Sequence, residues 1–360
     1  MRIAIVVGTR PEAIKLAPIN GLLRDEAYVI HTGQHYTSGM AGTNLEPDLV
    51  FDTCPGLDRG QQLGAWISAL TPVLRNLRPD VVMVHGDTTS ALAGALAANA
   101  SGTPVVHVEA GLRSYDRVMP EEHNRVLIDH LADLCCAPTD LARNNLLAEN
   151  VPASRIVITG NTIVEAVTAA LPDRGTQTSI LAELGLDGDT FVLATIHRPE
   201  NTDRPEVLKT IFDELAMLPV PVVLPLHPRT QSSLVASGLD QRATAIRVTG
   251  PLDYPALLTL LRAAAVVITD SGGIQEEATV VKRPVLVVRR SNERPEVEAV
   301  FGRRVHAGPS ISRTISAWLS RISSIHRRLQ DAPSPFGDGT AAERVVRATR
   351  DLAACWTSTR

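Results

Sequence analysis

The residues best equipped for chemistry stand at the ends of short apolar runs. Ile3 to Val7 is followed by Gly8-Thr9-Arg10, with Lys15 a turn further on. Val81 to Val84 leads into His85-Gly86-Asp87-Thr88-Thr89. Val105 to Val108, which encloses His107, leads into Glu109-Ala110-Gly111-Leu112-Arg113. In the second half, Phe191 to Ile196 runs into His197-Arg198-Pro199-Glu200-Asn201, and Val222 to Leu226 into His227-Pro228-Arg229. Ala265 to Ile268 runs into Thr269-Asp270-Ser271-Gly272-Gly273. The inventory is cations (Arg10, Lys15, Arg113, Arg198, Arg229, Arg294), carboxylates and histidines. Cations beside a glycine turn that opens a helix suit a diphosphate, because the turn presents unpaired N–H groups and the positive end of a helix dipole. Carboxylates facing that diphosphate suit acid/base work on whatever it carries. Each array has a plainer reading alone: a turn with no ligand, Asp87 as a helix cap, Arg10 paired with a surface acid. Their common position at one kind of sheet edge argues for a site.

Other chemistry is disfavoured. Gly8 stands alone before Thr9-Arg10-Pro11, so the dinucleotide fingerprint is missing. There is no P-loop and no HExxH pair, and the histidines are scattered over different strands. Neither a metal nor a redox cofactor is expected.

The elements that position these residues alternate. Pro11 suits the first turn of a helix whose apolar spacing continues from Glu12 to Arg24. Tyr28 to His31 reads as a strand, Gln61 to Leu77 as a helix, and Ser90 to Ala100 as an alanine-rich helix. Gly33 to Arg59 reads as a long loop. Leu171 to Gln177 has the composition of a linker. Beyond it the alternation restarts, with a helix expected over Ile311 to Leu329 and a last one over Ala341 to Ala354. Alternating strands and helices imply right-handed βαβ units and parallel sheets. The expected fold is therefore α/β, with two doubly wound domains, residues 1–170 and 171–340. Ligands bind beyond the carboxyl ends of such strands.

At 360 residues, with 44% hydrophobic and 21% charged residues, the chain has the balance of a globular protein. A net charge of −4 and 3% aromatic residues argue against a nucleic-acid partner. Cys54, Cys135, Cys136 and Cys355 lack metal spacing and read as buried reduced thiols. No stretch suits a bilayer, and Ile3 to Val7 is too short for a signal core, so a cytoplasmic protein is expected.

Ten motifs in order make the chain resemble the non-hydrolysing UDP-N-acetylglucosamine 2-epimerase family. They are GTRPEAIKLAP (Gly8 to Pro18), HGDTTS (His85 to Ser90), HVEAGLRS (His107 to Ser114), MPEEHNR (Met119 to Arg125), ITGNT (Ile158 to Thr162), HRPEN (His197 to Asn201), LHPRT (Leu226 to Thr230), TDSGGIQEEA (Thr269 to Ala278), ERPE (Glu293 to Glu296) and PFGDG (Pro335 to Gly339). The resemblance implies a GT-B fold with the nucleotide sugar in the cleft between two Rossmann-like domains. It also implies a last helix, 341–360, that returns to the first domain, a homodimer, and no cofactor. The implied reaction interconverts UDP-N-acetylglucosamine and UDP-N-acetylmannosamine by anti elimination of UDP to 2-acetamidoglucal, followed by re-addition. It places acid/base roles on Asp87, Glu109 and Glu121, and His197 near the diphosphate. Ser271, Gly272 and Gly273 would hold phosphate oxygens and Glu277 the ribose. Arg10, Lys15, Arg113 and Arg294 would contact substrate.

The chain also departs from the family. Gln34-His35 is followed by Tyr36-Thr37-Ser38-Gly39-Met40 where many members carry Arg-Glu-Met in an activator site. Turnover from UDP-N-acetylmannosamine without added UDP-N-acetylglucosamine is therefore expected. Leu257 replaces a frequent aromatic beside the uracil, and Asn292 a frequent Thr. The alternatives are a GT-B glycosyltransferase or hydrolysing relative, and a nucleotide-sugar-binding regulatory paralogue.

Overall fold

The computed structural model describes residues 1–34, 45–52, 56–226, 228–238 and 246–358. Expectations for His35 to Met40, for Cys54 and for His227 lie outside these residues. The chain divides into two compact units: Met1–Ala166 with Phe336–Arg360, and Val167–Pro335.

In the first unit the strands are β1 (Ile3–Val7), β2 (Ala27–His31), β3 (Leu49–Val50), β4 (Val81–His85), β5 (Val105–Val108), β6 (Leu134–Ala137) and β7 (Ile156–Ile158). They form a parallel sheet in the order β3-β2-β1-β4-β5-β6-β7. The helices are α1 (Arg10–Leu23), α2 (Arg59–Leu77), α3 (Thr89–Ala100), α4 (Pro120–Leu131) and α5 (Asp140–Ala148), and α6 (Ile163–Ala170) carries the chain into the second unit. Strand periodicity sorts the core into two layers. Ala4 and Val6 of β1 face Trp66, Leu70 and Leu74 of α2 and Ala91, Ala95 and Ala98 of α3. Ile3, Ile5 and Val7 face the other way, onto Leu16 and Ile19 of α1 and onto Ala342, Val345 and Val346 near the C-terminus. Each large apolar side chain buried in this way contributes roughly 1.5–3 kcal/mol. The strand order reverses between β1 and β4, which opens a crevice at their carboxyl ends.

The second unit holds α7 (Arg174–Glu183), β8 (Val192–Thr195), α8 (Pro199–Thr202), α9 (Pro205–Ala216), β9 (Val222–Pro225), α10 (Pro228–Ala236), β10 (Arg247–Thr249), α11 (Tyr254–Ala263), β11 (Val266–Thr269), α12 (Gly272–Val280), β12 (Val285–Val288), α13 (Pro295–Val300), β13 (Gly302–Val305), α14 (Ser310–Leu319) and α15 (Ile322–Gln330). Its parallel sheet runs β10-β9-β8-β11-β12-β13, with the reversal between β8 and β11. The chain then rejoins the first unit as α16 (Ala341–Ser358).

Three local expectations change, and one strand, β13, was not expected. Leu171 to Gln177 is not an open connection: Asp173 caps α7, its carboxylate accepting from the Thr176 N–H at 3.1 Å. The expected helix over Ile311 to Leu329 breaks at Ser320 and Arg321 into α14 and α15. β13 reads Gly-Arg-Arg-Val, with no apolar run, because at the sheet edge only Val305 is buried. Cys135 and Cys136 are buried, burial pushing the Cys136 thiol up to about 12, but Cys355 is exposed on α16. No helix among the described residues is long and apolar enough to cross a membrane.

Candidate active site

The first unit's crevice is built by two turns that share one carboxylate. Glu12, at the third position of α1, reaches back over the helix start. It accepts from the Gly8 N–H at 3.0 Å, from Thr9 Oγ1 at 2.8 Å and, across the crevice, from Thr88 Oγ1 at 2.7 Å. Burial pushes its carboxyl up to about 7, against those hydrogen bonds. Glu12 thus ties the turn carrying Arg10 and Lys15 to the turn carrying Asp87.

Glu109 stands at the end of β5 with φ 69°, a left-handed conformation that costs a non-glycine residue about 1 kcal/mol. Its Oε2 accepts from Lys15 Nζ and from Asn161 Nδ2 at 2.7 Å. His85 Nε2 lies 3.8 Å from the same oxygen. Burial pushes His85 down to about 4, so it is neutral at pH 7, and its ring nitrogens are buried without hydrogen-bond partners among the described residues. Arg10 is half-buried at the start of α1.

Asp87 is oriented by α4. Arg125 forks between Asp87 and Glu122, and Asn124 Nδ2 donates to the Asp87 carbonyl at 2.8 Å. Glu122 also collects the Ser114 hydroxyl and the Tyr115 N–H, each at 2.8 Å. Glu121, singled out in the sequence, is exposed at the second position of α4 and outside this network. Arg113 is not placed as a substrate contact. Its side chain is 1% exposed and held by Asp129 at 2.7 Å and Glu149 at 2.6 Å. It braces the strand end behind Glu109. His107 joins the brace, pairing with Asp129 at 2.7 Å and with the Gly86 carbonyl at 2.8 Å.

In the second unit, Ser271 caps α12 and Gly272 and Gly273 supply its first two N–H groups. The glycines differ. A side chain at Gly272 would stand 2.5 Å from Arg294 Nη1, whereas at Gly273 nothing lies closer than Ser271 Oγ at 4.0 Å. Arg294 is bound to Glu276 and, at 2.6 Å, to Glu293. Arg289 and Arg198 meet Glu293 at 2.6 and 3.4 Å. Three guanidiniums and two carboxylates thus meet beside Gly272. Buried Asp270 accepts from His197 Nδ1 at 2.9 Å, from the Arg198 N–H at 2.9 Å and from Asn201 at 3.0 Å. Burial opposes its ionisation, yet these donors hold its carboxyl below the usual range. His197 is thereby presented half-exposed at the same edge. Glu277 is buried and accepts from the Tyr254 hydroxyl at 3.1 Å, one turn before half-buried Leu257. Arg229 lies apart, exposed and paired with Asp203 at 3.0 Å.

Four residues here escaped the sequence reading: Asn161, Glu122, Asn124 and Arg125. All lie inside motifs already singled out. The three-residue spacing of Glu122 and Arg125 on a helix was the available signal.

The family model described as UDP-N-acetylglucosamine 2-epimerase matches residues 23–350. The UDP-N-acetylglucosamine 2-epimerase of Methanocaldococcus jannaschii is 38% identical over 96% of this chain and 98% of its own length. The UDP-2,3-diacetamido-2,3-dideoxy-D-glucuronate 2-epimerase of Pseudomonas aeruginosa is 34% identical over 96% and 98%. The crystal structure of the Neisseria meningitidis UDP-GlcNAc 2-epimerase bound to UDP-GlcNAc superposes with a TM-score of 0.89, at 30% identity over 98% of this chain and 100% of that one. The α/β, GT-B-like fold class follows from this likeness and the two parallel sheets.

Proposed function

The chain belongs to the UDP-N-acetylglucosamine 2-epimerase family, and from that premise we propose that it interconverts UDP-N-acetylglucosamine and UDP-N-acetylmannosamine. The observation that carries the reading is the Glu109 cluster, a buried carboxylate aimed by Lys15 and Asn161 at a strand end. A carbon-bound proton beside an acetamido group is weakly acidic, so its removal needs an aimed base. As the bond from carbon 2 to that proton breaks, its electron pair forms the double bond to carbon 1. The bond from carbon 1 to oxygen breaks as that double bond forms, and UDP leaves with its electron pair. Re-addition of UDP with protonation on the opposite face gives the other epimer. Asp87, Glu109 and Glu121 share the proton transfers.

UDP's growing charge needs donors fixed in advance. The N–H groups of Gly272 and Gly273, at the start of the helix that Ser271 caps through the Ile274 N–H, and the guanidinium of Arg294 supply them. His197, aimed by Asp270, donates to the diphosphate, and Glu277 takes ribose hydroxyls. Arg10 and Lys15 are read as nucleotide contacts, and the domains as 1–170 with 341–360, and 171–340. Leu257 stands beside the base. A cytoplasmic homodimer completes the reading.

Proton NMR in heavy water with a panel of UDP-sugars tests it. Deuterium at carbon 2 and both epimers of the N-acetylhexosamine nucleotide are expected. Free N-acetylmannosamine with UDP would mean a hydrolase, and binding without exchange a regulatory protein. Preference for the diacetamido glucuronate would move the substrate to that of the Pseudomonas relative.

A further inference from the structure

The turns that present Asp87 and Glu109 both lead back to Asp129 of α4. The two oxygens of Asp129 share the Gly111 N–H at 3.3 and 3.2 Å, two residues beyond Glu109. Oδ1 also meets His107 Nδ1 at 2.7 Å, and His107 Nε2 meets the Gly86 carbonyl at 2.8 Å, one residue before Asp87. Arg113 holds Oδ2 at 2.7 Å and is itself held by Glu149. His107, Asp129 and Arg113 are all buried. Gly86 and Gly111 have φ of 64° and 84°, so each turn uses a left-handed glycine beside its carboxylate. A side chain at Gly111 would collide with the Ala142 carbonyl of α5.

These contacts place the hydrogens on the ring. A carbonyl oxygen only accepts, so His107 Nε2 donates to Gly86. Burial opposes ionisation of Asp129, yet His107 and Arg113 hold its carboxyl below the usual range. An ionised carboxylate also only accepts, so Nδ1 donates to Asp129. Both ring nitrogens are therefore donors, and Glu149, Arg113, Asp129 and His107 alternate in sign along the brace. His85, on the neighbouring strand, is pushed down by burial first and then, against Glu109 and Asp87, by Lys15 and His107.

We infer that His107 is a positioning residue: donating from both ring nitrogens, it ties the Gly86 carbonyl to Asp129 and so fixes where Asp87 stands relative to Glu109. This rests on the epimerase reading above, in which those two carboxylates take part in proton transfer at carbon 2. Helix α4 already grips the Asp87 turn through Asn124 and Arg125. Asp129 follows Arg125 by four residues, on the same face of that helix. His107 carries the grip from α4 through β5 to β4, and Gly111 brings the Glu109 turn to the same carboxylate. Both reacting groups are thus referred to one helix, as groups that act on one carbon must be.

Two variants each keep half of the tie. The amide of His107→Gln stands where Nε2 stood and can still donate to Gly86. That of His107→Asn stands where Nδ1 stood and can still donate to Asp129. We expect each to lower kcat about 10- to 100-fold with KM and UDP affinity unchanged, the proposed diphosphate site being in the other unit. A wild-type kcat in either folded variant would overturn the inference. So would a fall in kcat matched by an equal fall in UDP affinity, which marks a general structural loss. Should neither variant fold, nitrogen-15 NMR of the wild-type ring decides. At pH 7 both nitrogens of His107 should carry a hydrogen, and a ring with a single hydrogen would overturn the inference. Wild-type protein that turns over no UDP-sugar would instead defeat the epimerase reading, and the ring spectrum would still decide whether the tie exists.

Discussion

Gly272 and Gly273 are neighbours of the same type, yet substituting them should have opposite consequences. At Gly272 a methyl group would meet Arg294 Nη1 at 2.5 Å, Arg294 Cζ at 2.9 Å and Glu293 Oε1 at 3.0 Å. Arg294 has little room to retreat, since it is 7% exposed and tied to Glu276 and Glu293. Moving it sacrifices one or two charge-assisted hydrogen bonds of about 1.5–3 kcal/mol each. Gly272→Ala should therefore destabilise by about 3 kcal/mol and lower Tm by roughly 6–12 °C for a unit of this size. At Gly273 the space is open, and alanine is the better helix former by about 0.5–1 kcal/mol, so the unliganded protein should gain slightly. The penalty at Gly273 falls on the ligand: a methyl group shields the N–H that would meet the diphosphate. Thermal unfolding of both variants, with and without saturating UDP, separates the two effects. Gly273→Ala should keep or raise its Tm and lose most of the shift that UDP gives the wild type. A full UDP shift in Gly273→Ala would refute the diphosphate site at this helix start. An unchanged Tm in Gly272→Ala would refute the packing against Arg294.

Three further outcomes are expected. His85, pushed down from 6.5 to about 4, binds fewer protons folded than unfolded in that window, so its contribution, on the order of 3 kcal/mol, is present above pH 6.5 and lost as pH falls towards 4. Glu12, pushed up from 4.5 to about 7, works the other way, its contribution being lost as pH rises across that window, so His85→Asn should flatten the acid side of a denaturant-derived stability profile and leave the neutral side. Arg125→Lys keeps the charge but not the fork across Asp87 and Glu122, and should slow epimerisation about 100-fold with little change in Tm, as rate and melting measurements would show. Asp270→Asn sets an amide against the donors of His197, Arg198 and Asn201; unfolding should register a loss of about 3 kcal/mol, and calorimetry a weaker affinity for UDP.

Much of this architecture was legible before any coordinates. The apolar runs gave most strands because parallel strands are buried on both faces, and the polar residues after them gave the edge on which the site stands. Legibility failed where burial is one-sided or where pairing decides the role. β13 hides only Val305, so its arginines masked it. Asp173 reads as linker until its bond to Thr176 is seen. Arg113 has the type and place of a substrate contact, and only the positions of Asp129 and Glu149 show that its charge is already used. Asn161 lies inside the ITGNT motif, but its role stays hidden there because its partners Glu109 and Phe336 are far away along the chain.

The return of the chain to its first unit sets an order of events during synthesis. Ala342, Val345, Val346 and Ala353 cover the same apolar face as Ile3, Ile5 and Val7. That face cannot be closed until residues beyond 353 have left the ribosome, whereas the unit Val167–Pro335 is contiguous and complete earlier. At typical translation rates the intervening stretch takes on the order of 10 to 30 s. Throughout that interval the nascent first unit displays an uncovered apolar stripe. The half of the protein made first is therefore the half finished last, and it is the half a chaperone would hold.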